Sequence, residues 1–175
     1  MAFGLTPVVD NVHILGNCGG LHSDPCVTHA DGSLVTVLSP ARPNEVVVIY
    51  AFGLGTTDPV VPTGQAAATA SMAVSGVGVR FNFRSNAGPT RPYSQLETGL
   101  RPEFAGLTPG QIGLYQINVR LPDVFPDVSP YDSSSGALWS HADLGARPQV
   151  LSNLTIDVST SYLSFDAVGI CVQPQ

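Results

Sequence analysis

The chain is 175 residues long, enough for one domain with a real core, yet only 11% of it is charged, against the roughly 25% usual for soluble domains. Its seven basic residues are all arginine, set against 13 acidic ones for a formal charge of −6, so it lacks the basic stripe that nucleic acid or an anionic membrane surface requires. With Gly 18 and Pro 15, the composition excludes a coiled coil, a long-helix protein and a charge-rich disordered chain, and no apolar run approaches the roughly 18 residues of a membrane helix.

The first element in chain order is an extended apolar segment, Phe3–Leu15, with Val8, Val9, Val12 and Ile14. It either folds back as the first strand of its own sheet or adds a strand to a neighbouring copy. In the second case Val8, Val9, Val12 and Ile14 are the self-association residues, and an open, end-to-end contact of that kind builds a filament. MAFGLTPVVD lacks the basic start and apolar stretch of a signal peptide, so the expectation is a mature or recombinant form of an exported chain.

Cys18 and Cys26 follow, bracketing the turn-rich NCGGLHSDPC. CxxC spacing is absent and three thiols make a poor zinc set, so a disulfide is expected. The pairing is Cys18–Cys26, with Cys171 joined to one of them as the alternative. The odd cysteine is either buried or linked to another chain. A disulfide implies an oxidising compartment.

From there the periodicity is that of strands. Leu34–Leu38 is a candidate. Glu45–Phe52 is apolar on both faces and should be a central or covered strand. Ala66–Ala73 has helical composition but is short and bounded by glycine-rich sequence. Val77, Val79, Phe81 and Phe83 share one face, and Tyr115, Ile117, Val119 and Leu121 another. Asn153–Val158 alternates strictly, as a half-buried strand does, and Leu163–Val172 closes the series. Between these runs lie turn clusters at 39–44, 53–64, 85–92, 106–110 and 122–130.

About seven such strands imply an all-β, immunoglobulin-like two-sheet sandwich. It carries long loops near 84–109 and 121–148 and the extended N-terminal segment. The expected division is residues 1–28 for that segment and 29–175 for the sandwich.

The blocks His29–Thr36, Ser39–Glu45, Val48–Gly55, Pro59–Gly64 and Ala105–Pro122 occur in the order found in the Solibacter-type uncharacterised C-terminal domain family. The chain resembles that family over about three quarters of its length, with Ser152–Asp157 and the strand to Val172 similar to its closing strands. The resemblance implies a β-sandwich attached to exported proteins and carries over no catalytic residues. NCGGLHSDPC, the 84–103 insertion and the 123–148 loop depart from the pattern.

Within these blocks most residues read as architecture. Gly53 and Gly55 end a buried strand, and Pro109-Gly110 makes a turn. Tyr115 is either a tyrosine that ties down a neighbouring loop or an ordinary strand tyrosine.

Chemical constellations are sparse. His22-Ser-Asp24 and His29-Ala-Asp31 supply metal-ligand atom types, but each is also a solvated turn. No G-x-S-x-G elbow is present, and Trp139-Ser-His-Ala-Asp143 crowds its residues too closely for a triad. Glu45, Glu97 and Glu103 suggest no glycosidase pair. Asn153-Leu-Thr155 fits the N-glycosylation pattern but also plain strand alternation. Trp139, Tyr131 and Tyr93 stand in the long loops, where aromatics stack on sugars or plug the loop onto the core.

The scarcity of charge, and the absence of lysine above all, implies sheet edges left undefended. The expectation is therefore a secreted, non-enzymatic structural or adhesive sandwich without cofactor, whose partners are other copies of itself or extracellular polymers. A carbohydrate-binding module using Trp139, Tyr131 and Tyr93 is the alternative, and a metal-dependent hydrolase at His22–Asp31 the third reading.

Overall fold

The computed structural model describes residues 11–18, 25–88, 100–126, 152–160 and 164–173. These residues form ten strands and no helix. They are β1 (His13–Ile14), β2 (Val27–His29), β3 (Val46–Phe52), β4 (Thr57–Asp58), β5 (Ser71–Ala73), β6 (Val77–Asn82), β7 (Phe104–Leu107), β8 (Tyr115–Arg120), β9 (Leu154–Thr160) and β10 (Phe165–Ile170). One antiparallel sheet has the order β1-β3-β8-β7-β5-β4, with β2 also paired to β3, and the other is β10-β9-β6.

The two sheets stack because their alternating residues share one core. Val47, Ile49, Ala51, Ile117 and Val119 from the large sheet meet Val77, Val79, Leu154, Ile156, Val158, Val168 and Ile170 from the small one in a single buried cluster. Burying such branched aliphatics contributes about 1.5–3 kcal/mol each. This is the period-two pattern of the sequence turned into a two-layer β-sandwich.

β3 is a central strand, as its two apolar faces require, with β8 on one side and β1 and β2 end to end on the other. The boundary expected at 28/29 falls inside β2. Since β1 and β2 both bond to β3, the described part of the N-terminal segment belongs to the large sheet.

The expectation of undefended edges has to be corrected. The charge-poor runs Glu45–Phe52, Ile112–Leu121 and Leu154–Val158 contain β3, β8 and β9, and each of these strands has neighbours on both sides. They lack charge because they are interior. The edges are blunted by other means. β4 is two residues long and runs into Pro59, both recognised edge protections. On β1, Leu15 N–H donates to Tyr50 O at 2.8 Å, so the amides of Val12 and Ile14 point away from β3. They donate instead to Ser164 Oγ (2.7 Å) and Asp166 Oδ2 (2.8 Å). Asp166 Oδ1 also accepts the amide of Ala167 at 2.8 Å.

Several local expectations change as well. Leu34–Leu38 is not a strand. Leu34 makes one bridge to Thr28, and Thr36 and Ser39 then exchange backbone bonds in a tight turn. Ala66–Ala73 is not helical, since its last three residues form β5. β9 is buried on both faces: Thr155, Asp157 and Ser159 are 2% exposed or less. Part of that cover is the 86–87 turn, where Thr155 Oγ1 donates to Ala87 O (2.8 Å).

Just before β9, Asn153 extends the pairing with its side chain. Its Nδ2 donates to Val172 O (2.9 Å) and its Oδ1 accepts Val172 N–H (2.8 Å). Beyond Ile170 the chain crosses to Ala41. Ala41 N–H donates to Cys171 O (3.0 Å), and Gln173 N–H donates to Ala41 O (2.8 Å).

Candidate functional site

Two places gather the polar and reactive groups singled out in the sequence: the junction between β1 and β2, and the turn between β2 and β3.

At the first, Cys18 and Cys26 form a disulfide with Cα atoms 5.1 Å apart, and Cys171 is a free, buried cysteine. The bridge closes an excursion of the chain that leaves β3 at Leu15 and returns to it at Cys26. Three backbone bonds hold the two ends together: Leu15 N–H to Tyr50 O (2.8 Å), Tyr50 N–H to Cys26 O (3.1 Å) and Cys26 N–H to Leu15 O (2.8 Å). Tyr50 is thus the residue on β3 where the two edge strands meet. Val12 is 1% exposed, and Ile14 packs on the core with its backbone paired to Ala51. Val12 and Ile14, candidates for strand addition to a second copy, therefore complete their own sheet. Val8 and Val9 lie outside the described residues.

At the second, His29 at the end of β2 and Glu45 just before β3 are brought together because β2 pairs with β3, placing His29 opposite Val47. His29 Nδ1 bonds Glu45 Oε1. Its Nε2 lies 3.1 Å from Ser39 O and 3.2 Å from Ser39 Oγ. Glu45 Oε2 accepts the Arg42 amide at 2.7 Å. The result is a carboxylate–imidazole–hydroxyl line in an open cleft of about 700 Å³, bordered by Asp31, Pro40, Arg42, Asn44 and Gln173.

Such a line moves a proton from hydroxyl to imidazole, the first requirement of acyl transfer. The second requirement is a pair of free donors for the oxyanion, and the nearby backbone does not offer them. Pro40 has no N–H. The Ser39 amide is bonded within the Thr36 turn, that of Ala41 to Cys171 O and that of Arg42 to Glu45. The arrangement fastens the 30–44 turn to both strands that it joins.

Beside it, Asp31 reads as the turn residue that Asp31-Gly32 suggests. Its Oδ1 accepts Ser33 Oγ–H (2.6 Å) and Ser33 N–H (2.9 Å), and Gly32 has φ 87°. The Ser33 hydroxyl, and after it the Ser33 amide, hold the Asp31 carboxyl below its usual range. Among the described residues no cluster of three or more His, Cys, Asp or Glu side chains is placed to hold a metal ion. His22 and Asp24 lie outside those residues, as do Trp139, Tyr131, Tyr93 and Glu97.

No family model, curated protein or solved structure matches the chain.

One surface went unnoticed in the sequence. A cleft at the end of β3, bordered by the 53–65 connection, contains no Asp, Glu or Arg, and on it Val60, Val74 and Ile112 are more than half exposed. Tyr115, at the start of β8, donates its phenol to Gly55 O and fixes one wall of that cleft. This is the loop-tying role of the two considered for it. The turn glycines around the cleft were legible, but nothing in the sequence showed that Val60, Val74 and Ile112 share one surface.

Proposed function

We propose that the chain is an immunoglobulin-like module of an exported protein, with a structural or adhesive role and no reaction of its own. The observation that carries this reading is the strand order. With β1 and β2 taken together as one strand A, the large sheet reads A, B (β3), E (β8), D (β7), and the small sheet reads G (β10), F (β9), C (β6). This order supports an ABED and CFG division like that of a constant-type immunoglobulin sandwich, with β4 and β5 added outside D.

The Cys18–Cys26 bridge supports an oxidising compartment. The likeness of the 29–122 blocks to an exported β-sandwich family supports the same. The proposed contact surface is the cleft at the end of β3, whose lining has no Asp, Glu or Arg. Its apolar residues suit an uncharged surface polymer or a neighbouring protein better than an ionic ligand.

The test is fractionation of the producing cell combined with alkylation of free thiols. The expected result is chain outside the cytoplasm with one alkylatable cysteine after denaturation. Chain retained in the cytoplasm with three reactive thiols overturns the reading.

A further inference from the structure

β1 is a short strand. Two residues pair with β3, at His13–Phe52 and Ile14–Ala51, followed by the Leu15 bond to Tyr50 and the two side-chain acceptors Ser164 and Asp166. Every one of these partners lies far along the chain from residues 12–15. A second copy of the chain offers the same partners in the same geometry, the condition for exchange of an identical element between protomers. What decides between the two arrangements is how far residues 12–15 can travel from β2, which follows them.

The disulfide sets that distance. With the bridge closed, the tether from Leu15 runs through Gly16 and Asn17 to Cys18, at most about 11 Å. It then crosses to Cys26, whose Cα is 5.1 Å away. Leu15 therefore stays within roughly 16 Å of Cys26. Sheets within a sandwich are about 10 Å apart, so equivalent strands of two sandwiches stacked face to face are roughly 20 Å or more from each other. The tether falls short. With the bridge open, the stretch from Leu15 to Cys26 reaches about 36–40 Å, and the neighbouring copy comes within range.

We infer that the Cys18–Cys26 bridge determines whether residues 12–15 complete their own sheet or that of a second copy, the acceptor surface being the β3 edge at Tyr50–Phe52 together with Ser164 and Asp166. In the open form each chain donates one strand and accepts one. The contact then closes as a dimer where donation is mutual and grows as a chain of copies where it passes to a third. Opening needs a dithiol reductant. It breaks the S–S bond, yields the Cys18 and Cys26 thiols, and is itself oxidised to a disulfide. A chain that folds before its bridge has formed is in the open state from the start. The inference goes beyond the proposed surface role, since it concerns the sandwich alone and holds in any compartment.

Sedimentation velocity on the whole chain tests it, comparing the oxidised form, the dithiol-reduced form and the Cys18→Ser/Cys26→Ser variant kept in reductant. The oxidised chain is expected to remain a monomer. The other two should populate dimers and longer species whose share rises with concentration, with unchanged β-sheet circular dichroism. Ile14→Asp, which removes the side chain seated beside Ala51, should return the reduced chain to monomer. Three results overturn the inference: a reduced chain that stays monomeric, association accompanied by loss of sheet signal, or association that persists or grows with Ile14→Asp.

Discussion

The carboxylate of Asp166, on the outermost strand of the small sheet, accepts the amide of Ile14, on the outermost strand of the large one, at 2.8 Å. Its other oxygen takes the amide of Ala167. One side chain thus occupies the unpaired donors of two edges where the layers meet. A charged acceptor makes such bonds roughly twice as strong as neutral ones.

Asp166→Ala leaves both amides without that acceptor. The expected cost is about 1–3 kcal/mol in chemical denaturation, with faster hydrogen exchange at Ile14 and Ala167. Asp166→Asn keeps one acceptor oxygen and should lose less. Equal stability of wild type and Asp166→Ala would show that water replaces the carboxylate at no cost.

Gly106 and Gly169 should respond differently to alanine. A Cβ on Gly106 would sit 2.1 Å from Ser71 O and 2.9 Å from Met72 Cα, both backbone atoms of β5. β5 cannot yield without losing its pairing to β7, so Gly106→Ala should destabilise by about 3 kcal/mol or more. A Cβ on Gly169 meets only the side chain of Ser152, with Oγ at 2.6 Å and Cβ at 2.9 Å. The hydroxyl can rotate away, the Ser152 Cβ must give by a few tenths of an ångström, and a smaller cost of about 1–2 kcal/mol is expected. Thermal melts of the two variants rank them.

Tyr115→Phe removes the phenol that bonds Gly55 O while keeping the ring in place. A loss of about 1 kcal/mol is expected, with faster backbone exchange around Gly55 and none at Ile117 or Val119. A uniform change across the sheet would mean that the hydroxyl supports the core and not the loop.

The 29–33 turn should weaken in acid. The Asp31 carboxyl titrates below its usual 3.8 because the ionised form accepts two bonds from Ser33. A lowered folded-state value means that its contribution is fully present above the unfolded value and is lost as pH falls through the folded one. Asp31→Asn should therefore differ in stability from wild type near neutral pH, and the difference should shrink as pH drops below about 4. Urea midpoints across that range measure it. A constant difference would place the Asn effect elsewhere.

The sandwich was legible because its central strands obey strict alternation. Tyr115 to Leu121 and Leu154 to Val158 place every second residue in one core, and β3 declares its central place through apolar residues on both faces. What escaped has a physical cause in each case. β7 contains Ala105 and Gly106, whose small size reads as a turn until the close approach of β5 is seen. β2 hides behind the cysteine loop, and β4 is too short to show a period. The inference about edges failed because sequence reports how charged a strand is and not whether it has neighbours. His29, Ser39 and Glu45 were visible as motif residues, but their meeting depends on the β2–β3 register, which no local pattern encodes.

Asn153 has a mechanical consequence. Its amide clamps Val172 from one side while Ala41 holds Cys171 and Gln173 from another. A pull applied at Val172 along the strand loads these bonds together, in shear, before any pair between β9 and β10 is strained. The sandwich should therefore yield under tension in one abrupt rupture at that corner, not by peeling strand from strand.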